Sequence, residues 1–344
     1  MGGDFAPANI VAGALAASRE SVTGFETIFV GPEDIVRAEL RKQGVSDSQP
    51  KISIVPSKTV IDMHDPATAA VRQKKDSSIA VGITLQTEGK ADAFLSAGHT
   101  GAVMSASTLI LGRIEGVARP TIGAFFPSVN GVCLLVDAGA NVDCKPRHLY
   151  EFGVMGSIYA KEMFGFSNPA VGLLNIGEEE TKGSEIVREA HELFATESKA
   201  SGINFIGNVE GRDILAGKAQ VVVCDGFVGN VLLKFGESVP AFLKTSIRKE
   251  LEKSFIAKLA GGLMRNTLRG AMKGMDYEEF GGVPILGVNG ISIIGHGKST
   301  PKAIKNMVLK AEEMVQKNIS GIIRASLNKP VAGTVPATSQ PIAS

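Results

Sequence analysis

Short apolar runs that end abruptly in small or polar residues recur along the whole chain, and they restrict its fold more than any other feature. Runs of about three to five apolar residues bounded by Gly, Asp, Asn or Ser are typical of buried strands, since a half-buried strand would alternate polar and apolar residues. The runs with their following turns are TIFVGPED (27–34), ISIVPSKT (52–59), AFLSAGHTG (93–101), VCLLVDAGAN (132–141), VGLLNIGEEETKG (171–183), NFIGNVEG (204–211), VVVCDGFVGN (221–230) and ISIIGHGKS (291–299).

Helix-length amphipathic segments lie between many of these runs, for example residues 149–165 and 184–198. An alternation of buried strands and amphipathic helices favours parallel strands joined by crossover helices. The sequence therefore predicts an α/β fold with a doubly wound, mainly parallel sheet and helices on both faces.

The polar residues of these segments follow each strand rather than precede it. In open parallel sheets, ligands bind at the carboxyl ends of the strands, where the following helices also point their amino termini. We therefore expect several of these turns to converge on one crevice. No strand is followed by GxGxxG, and neither GxxxxGKS nor GxxxxGKT occurs, so a standard nucleotide-binding fingerprint is absent.

The composition excludes several classes of protein. The chain has 344 residues and 44% hydrophobic content, which suffices for a large core and excludes wholesale disorder. Its formal net charge of +1 gives no global attraction to nucleic acid. Cys133, Cys144 and Cys224 show no CxxC spacing, so the sequence predicts neither a disulfide framework nor a zinc site, and it indicates a reducing cytoplasm.

Neither the amino-terminal residues nor the longest uncharged stretch is predicted to be a targeting or membrane segment. Residues 1–18 lack the positively charged start of a signal peptide and are interpreted as a loop followed by a helix. Residues 93–112 are uncharged, but their polar turn divides them into strand, turn and helix, so no transmembrane segment is predicted. We expect one domain over residues 1–325 and a disordered tail over 326–344, which is rich in Pro, Ser, Thr and Ala.

Residues 241–275 interleave basic and apolar side chains and are expected to form a protruding helical hairpin, bent or divided at AGG (260–262). A basic amphipathic segment can lie on an anionic membrane or receive an acidic protein, and its apolar side can equally pack in a dimer. The sequence leaves these uses open. The candidate contact residues are Lys258, Leu259, Leu263, Met264, Arg265 and Leu268.

The two richest turns are NIGEEETKG (175–183) and DGFVGN (225–230). Lys182 beside helix-terminal N–H groups suits an anionic ligand such as phosphate, and the Asn230 amide can polarise a carbonyl. Ordinary structural interpretations exist too: Lys182 can pair with Glu178 at i,i+4 spacing, worth only about 0.3–0.5 kcal/mol, and the DGFVGN residues can form a turn and a helix cap. Taken singly, the structural interpretations are favoured.

Seven motifs, taken together in order and spacing, resemble the bacterial phosphate acyltransferases that act on acyl-acyl carrier protein (the PlsX family). The resemblance covers essentially residues 1–325. The matching motifs are MGGDFAP (1–7), SAGHTGA (96–102), VDAGAN (136–141), NIGEEETKG (175–183), GNVEGRDI (207–214), DGFVGNVLLK (225–234) and GVPILGVNGISIIGHGKS (282–299).

This resemblance implies transfer of a fatty acyl group from acyl carrier protein to inorganic phosphate, giving acyl phosphate for phospholipid synthesis. Phosphate is itself the nucleophile, so no enzyme nucleophile, metal or other cofactor is expected. The expected catalytic residues are Lys182 and Asn230, with Asp225 and Glu178 orienting Lys182. The expected substrate-binding residues are Asp4, Gly98, His99, Thr100, Gly101, Asp137, Asn141, Asn175, Gly177, Gly183, Gly226, Gly229 and His296.

The resemblance further implies a cytoplasmic homodimer in peripheral contact with the anionic inner face of the cell membrane, with a downstream membrane acyltransferase as a further candidate partner. Two features depart from the family. Family members carry a short strand before MGGD, and this chain begins at the end of that strand; either the recorded start is late, or the strand is missing, which would leave a gap in the sheet beside Asp4. The SAGHTG turn carries His99 where Asn is common, and a titrating ring there predicts a shifted pH profile.

Three alternative functions remain open at this point. A phosphate acetyltransferase-like enzyme would use coenzyme A thioesters instead of a protein carrier. An NAD(P)-dependent decarboxylating dehydrogenase would need clustered carboxylates for a divalent metal, yet Asp4, Asp137 and Asp225 are scattered. A non-catalytic membrane regulator would use residues 241–275 alone.

Overall fold

Ten strands form two sheets in the computed structural model, which describes residues 2–46, 50–267, 270 and 277–327. The smaller sheet pairs β1 (Thr27–Gly31) and β2 (Ile52–Pro56) in parallel. The larger sheet has eight strands. They are β3 (Ala93–Ser96), β4 (Thr121–Ser128), β5 (Gly131–Val136), β6 (Ala170–Leu174), β7 (Asn204–Val209), β8 (Val221–Val223), β9 (Val283–Leu286) and β10 (Ile291–Ile294).

The larger sheet has the order β3-β10-β9-β4-β5-β8-β6-β7 and changes direction in its middle. β5, β8, β6 and β7 are mutually parallel, and so are β3 and β10. β9 and β4 pair antiparallel with each other and with β10 and β5 respectively. As a result, β3 and β10 end at the sheet edge opposite to the one where β5, β8 and β6 end.

Helices cover both faces of this sheet. In chain order, the first six are α1 (Ala8–Glu20), α2 (Glu33–Lys42), α3 (Ala67–Gln73), α4 (Ser78–Thr87), α5 (Thr100–Ala106, continued by a π-helical turn over Ser107–Leu111) and α6 (Pro146–Phe164). The others are α7 (Glu185–Ser201), α8 (Gly211–Ala216), α9 (Gly226–Leu251), α10 (Phe255–Leu263), a 3-10 turn (Tyr277–Glu279), α11 (Pro301–Gln316) and α12 (Ile319–Leu327).

Local sequence sets many helix starts. The side chains of Ser77, Ser184, Asp225 and Thr300 each accept the backbone N–H three residues further on, which satisfies a donor that has no partner inside the helix. Ser184, Asp225 and Thr300 sit directly after the loops that leave strands, whereas Ser77 follows α3. The three caps after strands therefore fix where their helices begin relative to the sheet edge.

The sequence of β5 is continuously apolar because both faces of the strand are buried. Leu134 and Val136 pack on one face with α6 residues such as Phe152, whereas Cys133 and Leu135 pack on the other face with Ile214 of α8. All of these side chains are buried. The prediction of a mainly parallel α/β sheet with helices on both faces is confirmed.

Two strands and one helix boundary differ from the sequence-based expectation. No strand was expected at β4 or β9. Each contains a proline, Pro127 or Pro284, and a proline has no backbone N–H to donate, which argues against a central strand. The hairpin break falls at residues 252–254, where Ser254 caps α10, and AGG (260–262) lies inside α10.

The last described helix extends into the predicted carboxyl-terminal tail. α12 continues to Leu327, so the first two residues of the predicted tail are helical, and 328–344 lie outside the described residues. Among the described helices, none is long and apolar enough to cross a membrane.

Candidate active site

A cavity of about 1340 Å³ runs between α9 and the middle of the larger sheet. We call it the α9 groove. One face of α9 lines it, because the lining residues recur at helical spacing of three and four. They are Asn230, Leu233, Lys234, Gly236, Glu237, Pro240, Ala241 and Lys244.

The opposite wall comes from β4 and from the segments around β9 and β10. Ile122, Ala124 and Phe126 of β4 face the groove, together with Phe280 and Val283. The groove therefore has an apolar middle. Lys234 and Glu237 both line it, but they pair with each other at 3.0 Å, which leaves no net charge at that position.

One end of the α9 groove lies at the start of α9. The Asn230 side chain lies against Gly139, where a Cβ would sit 3.4 Å from the Asn230 Cγ. In the described part of the chain, the amide of Asn230 has no hydrogen-bond partner, and the side chain is exposed. An amide donor is thus available at the end of an apolar groove.

A buried carboxylate shapes this end. Asp137 is fully buried and accepts N–H groups from Ile122 (3.1 Å), Gly139 (3.3 Å), Ala140 and Asn141 (2.6 Å). Burial raises the pKa of the Asp137 carboxyl, and hydrogen bonds from Ile122, Ala140 and Asn141 oppose that rise. The side-chain amide of Asn141 donates to Asp137 and to the carbonyl of Pro120. Asp137 and Asn141 therefore hold the 137–141 loop rather than face the groove.

Two glycines let α9 approach this loop. The N–H of Gly226 donates to the Asn141 carbonyl at 2.7 Å, and a Cβ at Gly229 would overlap the carbonyl oxygen of Asp137. Both glycines are buried. They were expected to bind substrate, but their place in the structure is the contact that positions Asn230.

The 96–101 turn and the segment after β10 meet at the opposite sheet edge. His99 caps α5 by accepting the Ala102 N–H on Nδ1, so its Nε2 carries the proton donated to the Asp65 carbonyl (3.1 Å). Thr100 and His296 line the α9 groove. Asp4 lies beside Gly297, whose carbonyl accepts the Asp4 N–H at 2.8 Å. Gly98 packs against Gly2, and Gly101 packs against the His99 ring.

The 175–183 loop lies outside the α9 groove. It follows β6, whose neighbour β8 leads into α9, so it leaves the same sheet edge as the start of α9. Asn175 holds the loop closed by donating to the Lys182 carbonyl at 3.0 Å, and Gly183 approaches the Asn175 side chain too closely for a Cβ. The Lys182 side chain is exposed and passes beside Gly177.

The two acids expected to orient Lys182 have other partners. Glu178 pairs with Lys218 at 2.6 Å. Asp225 caps α9 by accepting the Val228 N–H at 2.9 Å. Neither acid contacts Lys182 in the part of the chain that the structure describes, so the orientation of Lys182 by these acids stays a prediction.

The candidate contact residues of the hairpin are surface residues. Lys258, Leu259, Leu263 and Met264 are exposed on and just after α10, and Arg265 lines the α9 groove. Leu268 lies outside the described residues.

The groove's apolar wall was missed in the sequence because it lies on β4 and around β9, the two strands that were not predicted. The paired phenylalanines Phe125 and Phe126 were the available signal. Phe125 also stacks on Phe280, with ring centroids 5.2 Å apart.

The described residues hold no cluster of three His, Cys, Asp or Glu side chains suited to a metal ion. Burial raises the pKa of Cys133 and of Cys144 to about 12, and that of Cys224 well above its usual value. A thiol needs a low pKa to act as a nucleophile. These cysteines are therefore packing residues.

Comparison with known proteins places the chain in a family. Residues 1–321 match the model of a family described as fatty acid synthesis protein. The chain is 48% identical over 327 residues to the phosphate acyltransferase of Pelotomaculum thermopropionicum, covering 95% of this chain and 93% of that one. It is 49% identical over 324 residues to the phosphate acyltransferase of Heliobacterium modesticaldum, covering 94% and 95%.

Solved structures share the fold at low sequence identity. A phosphotransacetylase from Streptococcus pyogenes aligns with a TM-score of 0.62 at 16% identity, covering 91% of this chain and 92% of that chain. A branched-chain phosphotransacylase from Enterococcus faecalis aligns with a TM-score of 0.52 at 16% identity, covering 91% and 97%.

Proposed function

This chain belongs to the fatty acid synthesis protein family and is a phosphate acyltransferase, and we propose that its acyl donor is a fatty acyl thioester of acyl carrier protein, cleaved in the α9 groove. The observation that carries the proposal is the combination of a long, largely apolar groove with the Asn230 amide at its end, which has no hydrogen-bond partner among the described residues. An acyl chain needs the apolar wall, and a thioester carbonyl needs a hydrogen-bond donor where negative charge develops.

The reaction balances without an enzyme nucleophile. An oxygen of hydrogen phosphate attacks the thioester carbon, a C–O bond forms, the C–S bond breaks, and the phosphate proton passes to the departing thiolate. The products are acyl phosphate and the carrier thiol. Asn230 donates its amide N–H to the carbonyl oxygen as that oxygen becomes negative.

We place the phosphate between Asn230 and the 175–183 loop. This loop and the start of α9 leave the same sheet edge from neighbouring strands. The Lys182 ammonium forms no ion pair within the described part of the chain, so it is available to an anion. Its positive charge would hold phosphate for attack and reduce the repulsion between phosphate and the developing oxyanion.

The acyl carrier and the membrane would meet the protein near the hairpin. Lys244 and Arg265 line the α9 groove, and their charges suit an acidic carrier protein. On α10, Phe255, Ile256 and Leu263 are each at least 80% exposed. These side chains with Lys258 would enter an anionic bilayer, where acyl phosphate could pass to a membrane acyltransferase.

A second copy of the chain would cover another face of α9. Phe227, Val231, Phe235 and Phe242 are between 55% and 69% exposed and recur at intervals of four and seven residues. This spacing forms one apolar stripe, separate from the groove face. An unpartnered stripe on a 26-residue helix favours helix packing across a homodimer.

A comparison of two acyl donors, each supplied separately, tests the proposed function. The purified protein with phosphate is given palmitoyl carrier protein or acetyl-coenzyme A, and acyl phosphate is trapped and measured. We expect the higher kcat/KM with palmitoyl carrier protein. A higher kcat/KM with acetyl-coenzyme A would instead establish the phosphate acetyltransferase-like alternative.

A further inference from the structure

The turn that carries Lys182 is held by a side chain from outside the 175–183 loop. The carbonyl of Glu179 accepts two hydrogen bonds, one from the backbone N–H of Lys182 at 3.1 Å and one from the side-chain amide of Asn208 at 2.9 Å. A carbonyl oxygen has two lone pairs, so both bonds form together. Asn208 lies in β7, and one shared acceptor connects it to the backbone of Lys182.

The next residue of β7 holds the start of the same loop. The backbone N–H of Asn175 donates to the Val209 carbonyl at 2.8 Å. The loop is thus fixed at its beginning by Val209 and at its turn by Asn208. The ion pair between Glu178 and Lys218 also reaches the loop, but both side chains are exposed to water, where such pairs contribute little.

A bulge in β7 directs Asn208 toward the loop. β6 advances two residues between Val171 and Leu173, whereas the paired stretch of β7 advances three and ends at Asn208. One extra residue reverses the face to which the following side chains point. Gly207, inside this bulge, has a φ of +89°, which glycine adopts without steric cost. Bulges of this kind recur beside active sites, where they redirect a side chain.

The buried amide of Asn208 is unfavourable for packing alone. Asn208 is 4% exposed, and its Oδ1 atom is buried with no hydrogen-bond partner among the described residues. A buried polar atom without a partner costs free energy, so an apolar side chain would pack there at lower cost. The Glu179 carbonyl determines which end of the amide is nitrogen, because an oxygen there would face another acceptor. The donated bond to Glu179 therefore explains why an amide occupies this position.

We propose that Asn208 is a positioning residue for phosphate binding: its amide fixes the Glu179 turn, and the turn fixes where the Lys182 ammonium stands. Asn208 acts through the backbone and not by touching substrate. Without the amide, the Glu179 carbonyl loses its bond to β7 and the turn shifts, and misplacement of a binding group by about 1 Å costs up to roughly a hundredfold in rate. This inference rests on the proposed function and adds to it a residue outside the loop that controls phosphate binding.

Steady-state kinetics of Asn208→Ala test this role. With palmitoyl carrier protein as the donor, we expect KM for phosphate to rise at least about tenfold and KM for the carrier thioester to stay within about twofold of the wild type. Asn204→Ala is the matched control. Asn204 is also on β7 and also donates its side-chain amide to a backbone carbonyl, that of Asn168 at 3.3 Å, but at the end of β6 opposite to the loop. The control should keep both constants.

Limited trypsin digestion followed by mass spectrometry gives a readout that needs no turnover, since trypsin cleaves after lysine and Lys182 lies in the loop. Asn208→Ala should speed cleavage after Lys182 at least about fivefold and leave cleavage after Lys199, at the end of α7, unchanged. Asn204→Ala should change neither rate. Inorganic phosphate, compared with sodium chloride at equal ionic strength, should slow cleavage after Lys182 in the wild type and protect Asn208→Ala less.

Two results would overturn the inference. One is an unchanged KM for phosphate in Asn208→Ala, and the other is faster cleavage after both lysines, which would indicate general destabilisation rather than release of the loop. In either case, acyl phosphate formed by the wild type would still support the proposed function. A wild type that forms no acyl phosphate from palmitoyl carrier protein would overturn the proposed function, and the trypsin digestion would still decide whether Asn208 holds the loop.

Discussion

Replacing Gly229 by alanine tests whether the contact between α9 and the 137–141 loop positions the site. A Cβ at Gly229 would overlap the Asp137 carbonyl oxygen, and it would lie 2.9 Å from the carbonyl carbon and 3.1 Å from the Cys224 sulfur. These neighbours are backbone and a buried side chain, so they cannot move aside without displacing the loop or the helix. Asn230 is the next residue, and its place beside Gly139 would change with either movement.

Two opposing effects set the magnitude for Gly229→Ala. Overpacking a tight contact costs about 1–3 kcal/mol and occasionally more, whereas alanine in place of glycine favours a helix by about 1 kcal/mol. Because the overlap involves backbone, we expect the cost to dominate and the free energy of unfolding to fall by about 1–2 kcal/mol. We expect kcat/KM for acyl-phosphate formation to fall at least tenfold, since misplacement of a catalytic group by about 1 Å can cost a hundredfold.

Urea unfolding followed by circular dichroism, together with the acyl-phosphate assay, measures both effects. Gly211→Ala is the matched control, because a Cβ there meets nothing within 4 Å at the start of α8. The control should keep wild-type stability and activity. If Gly229→Ala matched the control in both measurements, the close approach would not be what positions Asn230.

Three further predictions concern the loop, the hairpin and the cysteines. Lys182→Ala should remove most acyl-phosphate formation and raise KM for phosphate, whereas Lys199→Ala, an exposed lysine at the end of α7, should not; equal effects would remove Lys182 from the site. Leu259→Glu with Leu263→Glu should abolish binding to anionic vesicles and leave turnover in solution largely intact, and unchanged vesicle binding would place these leucines elsewhere. Because burial raises the pKa of Cys133 and Cys144 to about 12, iodoacetamide at pH 8 should alkylate neither thiol until urea unfolds the protein, and rapid alkylation without urea would contradict this burial.

The alternation of apolar runs and amphipathic segments was sufficient to predict the strands that are buried on both faces. β5 and β8 are continuously apolar because helices pack on each side of them. β4 and β9 were not predicted because Pro127 and Pro284 interrupt their apolar runs. Their antiparallel pairing reverses half of the sheet, which no local pattern encodes.

This reversal explains the part of the site that the sequence could not predict. A uniformly parallel sheet would bring all the polar turns to one edge, but β3 and β10 end at the opposite edge from β5, β8 and β6. Thr100 and His296 nevertheless reach the same groove as Asn230, because the groove runs along β4 between the edges. The close contact of Gly236 with Phe126 depends on side-by-side packing of α9 and β4, and only the structure shows it.

The type of a polar residue after a strand did not show whether its side chain is free to contact a ligand. Asp137, Asn141 and Asp225 were chosen because carboxylates and amides after strands can bind ligands, yet their hydrogen bonds go to backbone groups of the loop and the helix start. Asn230 differs in that its amide makes no hydrogen bond within the described part of the chain. The distinction depends on which donors and acceptors are already paired, and a sequence alone does not contain it.

The most direct measurement compares kcat/KM for acyl-phosphate formation from palmitoyl carrier protein in the wild type, Asn230→Ala and the exposed control Asn168→Ala. Loss of one donor to a developing oxyanion should lower the Asn230→Ala value by roughly 10²–10³, while Asn168→Ala retains the wild-type value. Full activity of Asn230→Ala would contradict the assignment of the thioester carbonyl to this end of the α9 groove.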